Sequence, residues 1–324
     1  MFNKTISKNF AFVISLLFVC NILIGCSLVS SHIDTTIDTT KNKLKKDLSD
    51  KFDKPKVIGQ IKSKNIEESS GLVNSRCNPD ILWTHNDSGN KAHIYALDKT
   101  GKELGIWKVT GATNDDWEDI ATVKNIQGEC FLYIGNIGNN VRTRNVFTIY
   151  KVKEPKVSES DKSSSDKNPL ITEKAEVIDF TYPDIRHDAE ALLVHPETLN
   201  IYILTKRFSG ASGVYKLSNY TTAKTNQLKK IADFSLPAFP NGVVTGGEIS
   251  PDSKRIILCD YFNAYEIEID ANEKDFDKIW KDEPTIIELG ERKQGEAVCY
   301  SADATAIFAT SEKKDSPIIE VKRK

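Results

Sequence analysis

The sequence predicts an all-β chain of five four-stranded repeats that close into a ring. Three observations carry this. First, one short pattern recurs: a polar or acidic residue heading a small apolar strand. It reads Ser69-Ser70-Gly71-Leu72-Val73, Asp116-Trp117-Glu118-Asp119-Ile120, Asp188-Ala189-Glu190-Ala191-Leu192, Thr245-Gly246-Gly247-Glu248-Ile249 and Gln294-Gly295-Glu296-Ala297-Val298. Second, each head is followed by a tight turn, a second apolar strand, a polar loop, then a third strand. A fourth strand is visible in every repeat but the last. Third, Lys56 to Ile61, near the front of the chain, has the character of that missing fourth strand. Self-similarity at this period, four strands at a time, describes the blades of a β-propeller closed by an N-terminal strand.

The elements follow in order. Lys4 and Lys8 precede an apolar run from Phe10 to Leu23, the build of an export signal rather than a membrane span. The run ends in Leu23-Ile24-Gly25-Cys26, which resembles the lipobox of bacterial lipoproteins. The resemblance implies a signal peptide over 1–25 and a lipid on Cys26. It also implies a place in the bacterial cell envelope, in the outer membrane if the cell is Gram-negative, since Ser27 follows. Such a lipid anchors a chain without spanning the bilayer. Residues 26–54, rich in Ser, Thr, Lys and Asp, read as a flexible tether. The propeller is then expected over 55–324. A Ser/Lys/Asp-rich insertion at about 154–174 is expected to be disordered.

The second strands are expected at 81–84, 131–134, 201–205, 255–259 and 306–310. The third are expected at 93–97, 146–152, 213–217, 264–269 and 317–321, and the fourth at 105–109, 175–180, 228–234 and 284–289. Four cysteines fall within this part. Cys77 and Cys130 stand in equivalent hairpins, where a bridge or two free thiols are both consistent, because an exported chain permits disulfides.

With 324 residues and a formal net charge of −2, the chain is long enough for a sizeable core. It has no basic surplus with which to bind nucleic acid. In a propeller the first strand of each blade lines a central channel. The loops that lead into it share a face with the loops after the second strand. Ser70, Glu118, Glu190 and Glu296 would therefore ring the axis, with Thr245 or Glu248 as the fifth member, depending on whether one counts from the turn or by acid type. Asn86, Asp87, Asn136, Lys206 and Arg207 would join them at the mouth as ligand-binding candidates. Converging carboxylates repel one another and recruit a cation, or else bond backbone amides and fix blade register. An all-oxygen ring suits Ca²⁺. Zinc is disfavoured, since no His or Cys cluster has ligand spacing.

The layout resembles the secreted calcium-activated nucleotidases (apyrases), five-bladed propellers with one axial Ca²⁺ held by Ser or Glu at the first strands. The first repeat is the most alike, in Glu68-Ser69-Ser70-Gly71-Leu72, Leu82-Trp83-Thr84-His85-Asn86-Asp87-Ser88-Gly89 and Ile94-Tyr95-Ala96-Leu97. The resemblance implies the fold and the ion. The substrate residues do not match one by one, so activity does not follow from it.

Two functions are in view. One is a membrane-anchored module, expected to be a monomer, that binds a small molecule or a protein, with the ion stiffening the channel. The other is a Ca²⁺-dependent phosphohydrolase of nucleotidase or phytase type. There Arg142, Arg144, Lys206 and Arg207 would clamp phosphate, and Asp87 or Asp116 would act as base. A glycosidase using Glu118 and Glu190 ranks last, for want of an aromatic sugar platform.

Overall fold

The computed structural model describes residues 48–238 and 242–324. The expected signal peptide, Cys26 and most of the tether lie outside the described residues. Among the described residues no helix is long and apolar enough to cross a membrane.

Five small antiparallel sheets form a five-bladed β-propeller. β1 (Lys56–Gln60) comes first in the chain but belongs to the last blade. Blade 1 holds β2 (Ser69–Asn74), β3 (Ile81–Asn86), β4 (His93–Asp98) and β5 (Glu103–Thr110). Blade 2 holds β6 (Trp117–Lys124), β7 (Cys130–Asn136), β8 (Phe147–Lys153) and, after β9 (Leu170–Lys174), β10 (Glu176–Thr181). Blade 3 holds β11 (Ala189–Val194), β12 (Ile201–Thr205), β13 (Ser212–Leu217) and, after β14 (Asn226–Gln227), β15 (Lys229–Phe234). Blade 4 is β16 (Gly246–Ile249), β17 (Arg255–Cys259), β18 (Asn263–Glu268) and β19 (Thr285–Glu288). Blade 5 is β20 (Gly295–Tyr300), β21 (Ala306–Ser311) and β22 (Pro317–Lys322), completed by β1, which pairs Lys56 with Glu320 and Gln60 with Pro317. The strand order is the expected one, including the closure.

The inner strands β2, β6, β11, β16 and β20 each pack against the next, and β20 packs back onto β2. Four of them are buried at every residue, and β6 at all but its last, Lys124, which is why they read as apolar runs with no polar alternation. The apolar cores lie between blades. Val73, Trp83, Trp107, Trp117 and Ile134 fill the space between blades 1 and 2, and Tyr133, Phe147, Phe180, Leu192 and Ile203 that between blades 2 and 3. Each blade thus buries one face on each neighbour, and only the closed ring covers every face.

Two expectations are corrected. The segment 154–174 is not structureless. It forms a short 3₁₀ helix (Glu159–Ser163) and then β9, which pairs in parallel with β5 on the outer edge of blade 1. In the same way β14, from the blade 3 connection, pairs in parallel with β10 of blade 2. Each added strand satisfies backbone groups that an outer edge would otherwise expose. The polar composition of 154–174 reflects a surface position, and its order comes from backbone pairing that composition does not record. The folded part also begins before residue 55: Ser49 N donates to Ile286 O, and Phe52 is buried beneath the Arg323 guanidinium.

Candidate functional site: the two ends of the channel

The loops leading into the inner strands do meet the loops that follow the second strands. Asn114 Nδ2 donates to Asn86 O and Asp87 O, Asn139 N to Asp188 Oδ1 at 2.6 Å, and Lys206 N to Asp188 O. This face is the mouth. The turns after the inner strands form the opposite end, the floor.

At the mouth the inner strands carry a shared irregularity. The pairing register slips by one residue around Ser70, at Glu118, at Glu190 and at Glu296. A β-bulge re-aims the side chain it carries, and here it turns the strand heads toward the channel. In β16 the N–H of Thr245 donates to Cys259 O while Gly246 also stands opposite Cys259, so Thr245 holds the equivalent place. The structure therefore chooses Thr245 over Glu248. Counting from the turn was the sound rule, because it follows backbone register rather than side-chain type.

The five heads do not form one uniform ring. Ser70 Oγ donates to Glu118 O at 2.7 Å, and Thr245 Oγ1 to Gly295 O at 3.0 Å, so both hydroxyls stitch one blade to another. Glu296 accepts from Gln294 Nε2, which also bonds Glu312. Burial and the neighbouring Glu312 and Glu190 push the Glu296 carboxyl up to about 10. The remaining two heads meet. Carboxylate oxygens of Glu118, Asp188 and Glu190 lie within 4.8 Å of one another, as do those of Asp87, Asp116 and Glu118.

Glu118 and Glu190 are 3% and 1% exposed. Burial, Glu190, Asp87 and Asp116 hold the Glu118 carboxyl well above the usual carboxylate range. Glu190 is raised by burial, with Lys206 opposing, since Lys206 Nζ lies 2.7 Å from Glu190 Oε1. Burial likewise pushes Asp87 up to about 6, with Glu312, Asp116 and Glu68 adding to the rise. One oxygen of this cluster, Glu190 Oε2, is buried without a hydrogen-bond partner. An added Cβ on Gly138 would stand 2.0 Å from Glu118 Oε1 and 2.5 Å from Asp116 Oδ2, so only glycine lets the chain pass this close to the acids.

The other mouth candidates have structural work. Asn86 Oδ1 accepts from Glu67 N and Glu68 N, and its amide donates to Asn65 O and Tyr95 Oη. Asn136 accepts from Asp116 N and donates to Asp115. Arg144 is tied to Gly138 O and Asn136 O. Arg207 lowers the pKa of His187 and of Tyr215 in blade 3.

At the floor, Glu248 turns to Arg76, whose Nη2 lies 2.7 Å from Oε1. Arg76 Nη1 also donates to Tyr300 O and Ser301 O, and Tyr300 N donates to Glu248 Oε2 at 2.7 Å. Between floor and mouth sits Asp119, which the sequence reading did not single out. Its Oδ1 accepts from its own chain at Ile120 N. Its Oδ2 accepts from Leu192 N at 2.9 Å and Gly247 N at 3.3 Å, joining blade 2 to blades 3 and 4 across the channel. Glu118 and Asp119 are adjacent, and strand alternation sends one of two neighbours outward. The bulge at Glu118 is what lets both face inward, and sequence alternation cannot reveal it.

No protein-family model matches the chain, and no curated protein sequence is similar to it.

Proposed function

We propose that the chain is an exported, lipid-anchored binding module whose propeller mouth holds a divalent cation, Ca²⁺ by ligand type. The observation that carries the reading is Glu190 Oε2: a buried carboxylate oxygen that the Lys206 ion pair leaves unused, set beside the buried Glu118 carboxyl. Crowded buried carboxyls are costly, and a cation would offset that cost.

The donor set fits a hard cation. Glu118 stands at the centre, with Asp87 and Asp116 on one side and Asp188 and Glu190 on the other, all oxygen. Ser70, Thr245 and Glu296, once expected as ligands, already have partners within the protein, so the proposed set lies nearer blades 1 to 3 than a five-fold ring would. When bound, the ion would neutralise the cluster and stiffen the loops that carry it. Asp87 and Asp116, half-buried at the outer side, would face a ligand arriving at the mouth.

A phosphate clamp finds less support. Lys206 is paired with Glu190, Arg144 holds backbone carbonyls, and Arg207 stands with blade 3 aromatics. Binding without turnover is the reading we adopt.

Calorimetric titration of EGTA-stripped protein with Ca²⁺ tests this. One site is expected, lost in the Glu118→Gln/Glu190→Gln double variant. Absence of binding at millimolar Ca²⁺ would remove the ion from the account. For the anchor, labelled palmitate should enter the wild-type chain in bacteria and not Cys26→Ser. Equal labelling would exclude lipidation at Cys26.

A further inference from the structure

The Cys77–Cys130 disulfide joins the turn after β2 to the start of β7, with Cα atoms 6.0 Å apart. Its two halves differ. Cys77 is exposed, whereas Cys130 is 4% exposed. The bridge borders a cavity of about 520 Å³ whose wall includes Gly128, Lys153, Glu154, Lys156 and Val157. That volume is within the range of small-molecule sites, roughly 300–1,000 Å³.

Glu154 is placed against the bridge. Its Oε1 accepts from Trp83 Nε1 at 2.9 Å, which fixes the carboxyl. Its Oε2 is buried with no partner. A carboxylate oxygen of Glu154 and both sulfurs lie within 4.8 Å of one another. Desolvation raises its pKa, with Ser75, Trp83 and Arg76 opposing the rise. The rate of thiol–disulfide exchange depends on which sulfur is accessible and on how readily the other departs, and here one sulfur is exposed, the other is shielded and an acid stands beside them.

We propose that this is an exchange site for an acidic thiol, with Cys77 as the sulfur attacked and Glu154 as the acid that serves the departing Cys130. An incoming thiolate forms a bond to Cys77 Sγ, and the Cys77–Cys130 bond breaks. The electron pair goes to Cys130 Sγ, which takes the proton of Glu154. A second thiolate then attacks the mixed disulfide and releases the symmetric disulfide of the reagent. The Cys77 thiolate left behind is protonated from water. Two thiols are thereby oxidised and one protein disulfide is reduced. With Lys153 paired to Glu129 at 2.7 Å, Lys156 is the cation in the cavity wall that would favour an anionic thiol. Arg76 precedes Cys77, so the bridge stands one residue from the floor guanidinium.

The test uses the oxidised full chain, treated with reduced glutathione or with 2-mercaptoethanol at equal thiolate concentration, then alkylated and mapped by mass spectrometry. A thioredoxin-type protein dithiol forms a third arm. The expected result, while circular dichroism shows the fold intact, is a glutathione adduct on Cys77 and alkylation on Cys130. Glutathione should act faster than 2-mercaptoethanol, and Glu154→Gln should slow the reaction about tenfold or more. An adduct on Cys130, or resistance until the protein unfolds, overturns the site. An unchanged rate in Glu154→Gln overturns the role of the acid. Equal rates for the two small thiols, or reaction with the protein dithiol alone, overturn the acidic small thiol as partner. If Glu154→Gln fails to fold, Glu154→Asp, which keeps an acid but shortens its reach, should fall between wild type and no reaction. A wild-type rate in Glu154→Asp is equally contrary to the proposal.

Discussion

The two ends of the channel meet the same problem, buried carboxylates near the axis, and resolve it differently. At the floor the acid and base are matched: Glu248 has Arg76 and the Tyr300 amide, and Arg76 spends its other nitrogen on the Tyr300 and Ser301 carbonyls. At the mouth Glu118, Glu190, Asp87, Asp116 and Asp188 crowd together with Lys206 paired to one of them. The pKa values register the contrast. Glu248 is raised by burial only to about 6, because Arg76 and the Tyr300 amide oppose it, whereas burial and the neighbouring Glu190, Asp87 and Asp116 hold Glu118 at the mouth well above the usual carboxylate range. Satisfied polar groups hold a fold in register. Crowded ones at the mouth are where the proposed cation would bind.

The sharpest way to break this comparison is Arg76→Met. It strands a 3%-exposed glutamate, and loss of one member of a buried ion pair costs about 3–5 kcal/mol. Thermal melting should drop by many degrees at pH 7. A melting point within a degree of wild type would mean that the floor is not held by this pair.

At the mouth the sign should reverse. In EGTA, Glu118→Gln, which leaves the Lys206–Glu190 pair intact, removes a crowded carboxyl and is expected to melt at or above wild type, by up to about 2 kcal/mol of added stability. In Ca²⁺ the order should invert, because the wild type gains more from the ion. If Glu118→Gln is strongly destabilised in EGTA, the two ends are alike and the contrast fails.

The last contrast is in pH dependence. A carboxyl whose folded pKa is raised binds its proton more tightly in the folded state. Its contribution is therefore fully present below the unfolded value, about 4.3, and is lost as pH climbs toward the folded value. For Glu296 that window runs from roughly pH 4.5 up to about 10. Without divalent cations, chemical denaturation should show stability declining across pH 5–9, and Glu296→Gln should flatten the decline. An unchanged slope would assign the titration elsewhere.

Much of this architecture was legible in the chain. The blade count, the strand order and the closing strand all follow from a repeat whose apolar strands need partners on both sides. The mouth was legible in part. Glu118 and Glu190 were found because each heads an inner strand, and Asp87 and Asp116 because they lie in loops that must meet. Glu248 was misleading because acid type and strand register disagree in blade 4. Arg76 and Asp119 escaped notice for different reasons. Arg76 lies in a turn where exposure is the usual expectation, and Asp119 faces inward only because a bulge precedes it. The parallel pairing of β9 was also out of reach, because backbone hydrogen bonds carry no side-chain signature.

The seam between β1 and β22 has an implication for biogenesis. The first propeller strand in the chain pairs with the last, so the circle stays open until Pro317–Lys322 has left the ribosome. Until then blade 5 presents a bare edge, and truncation anywhere before β22 should leave a horseshoe in place of a wheel. A tug on the N-terminus would fall first on the Ser49–Ile286 and Lys51–Lys324 contacts and then on this join.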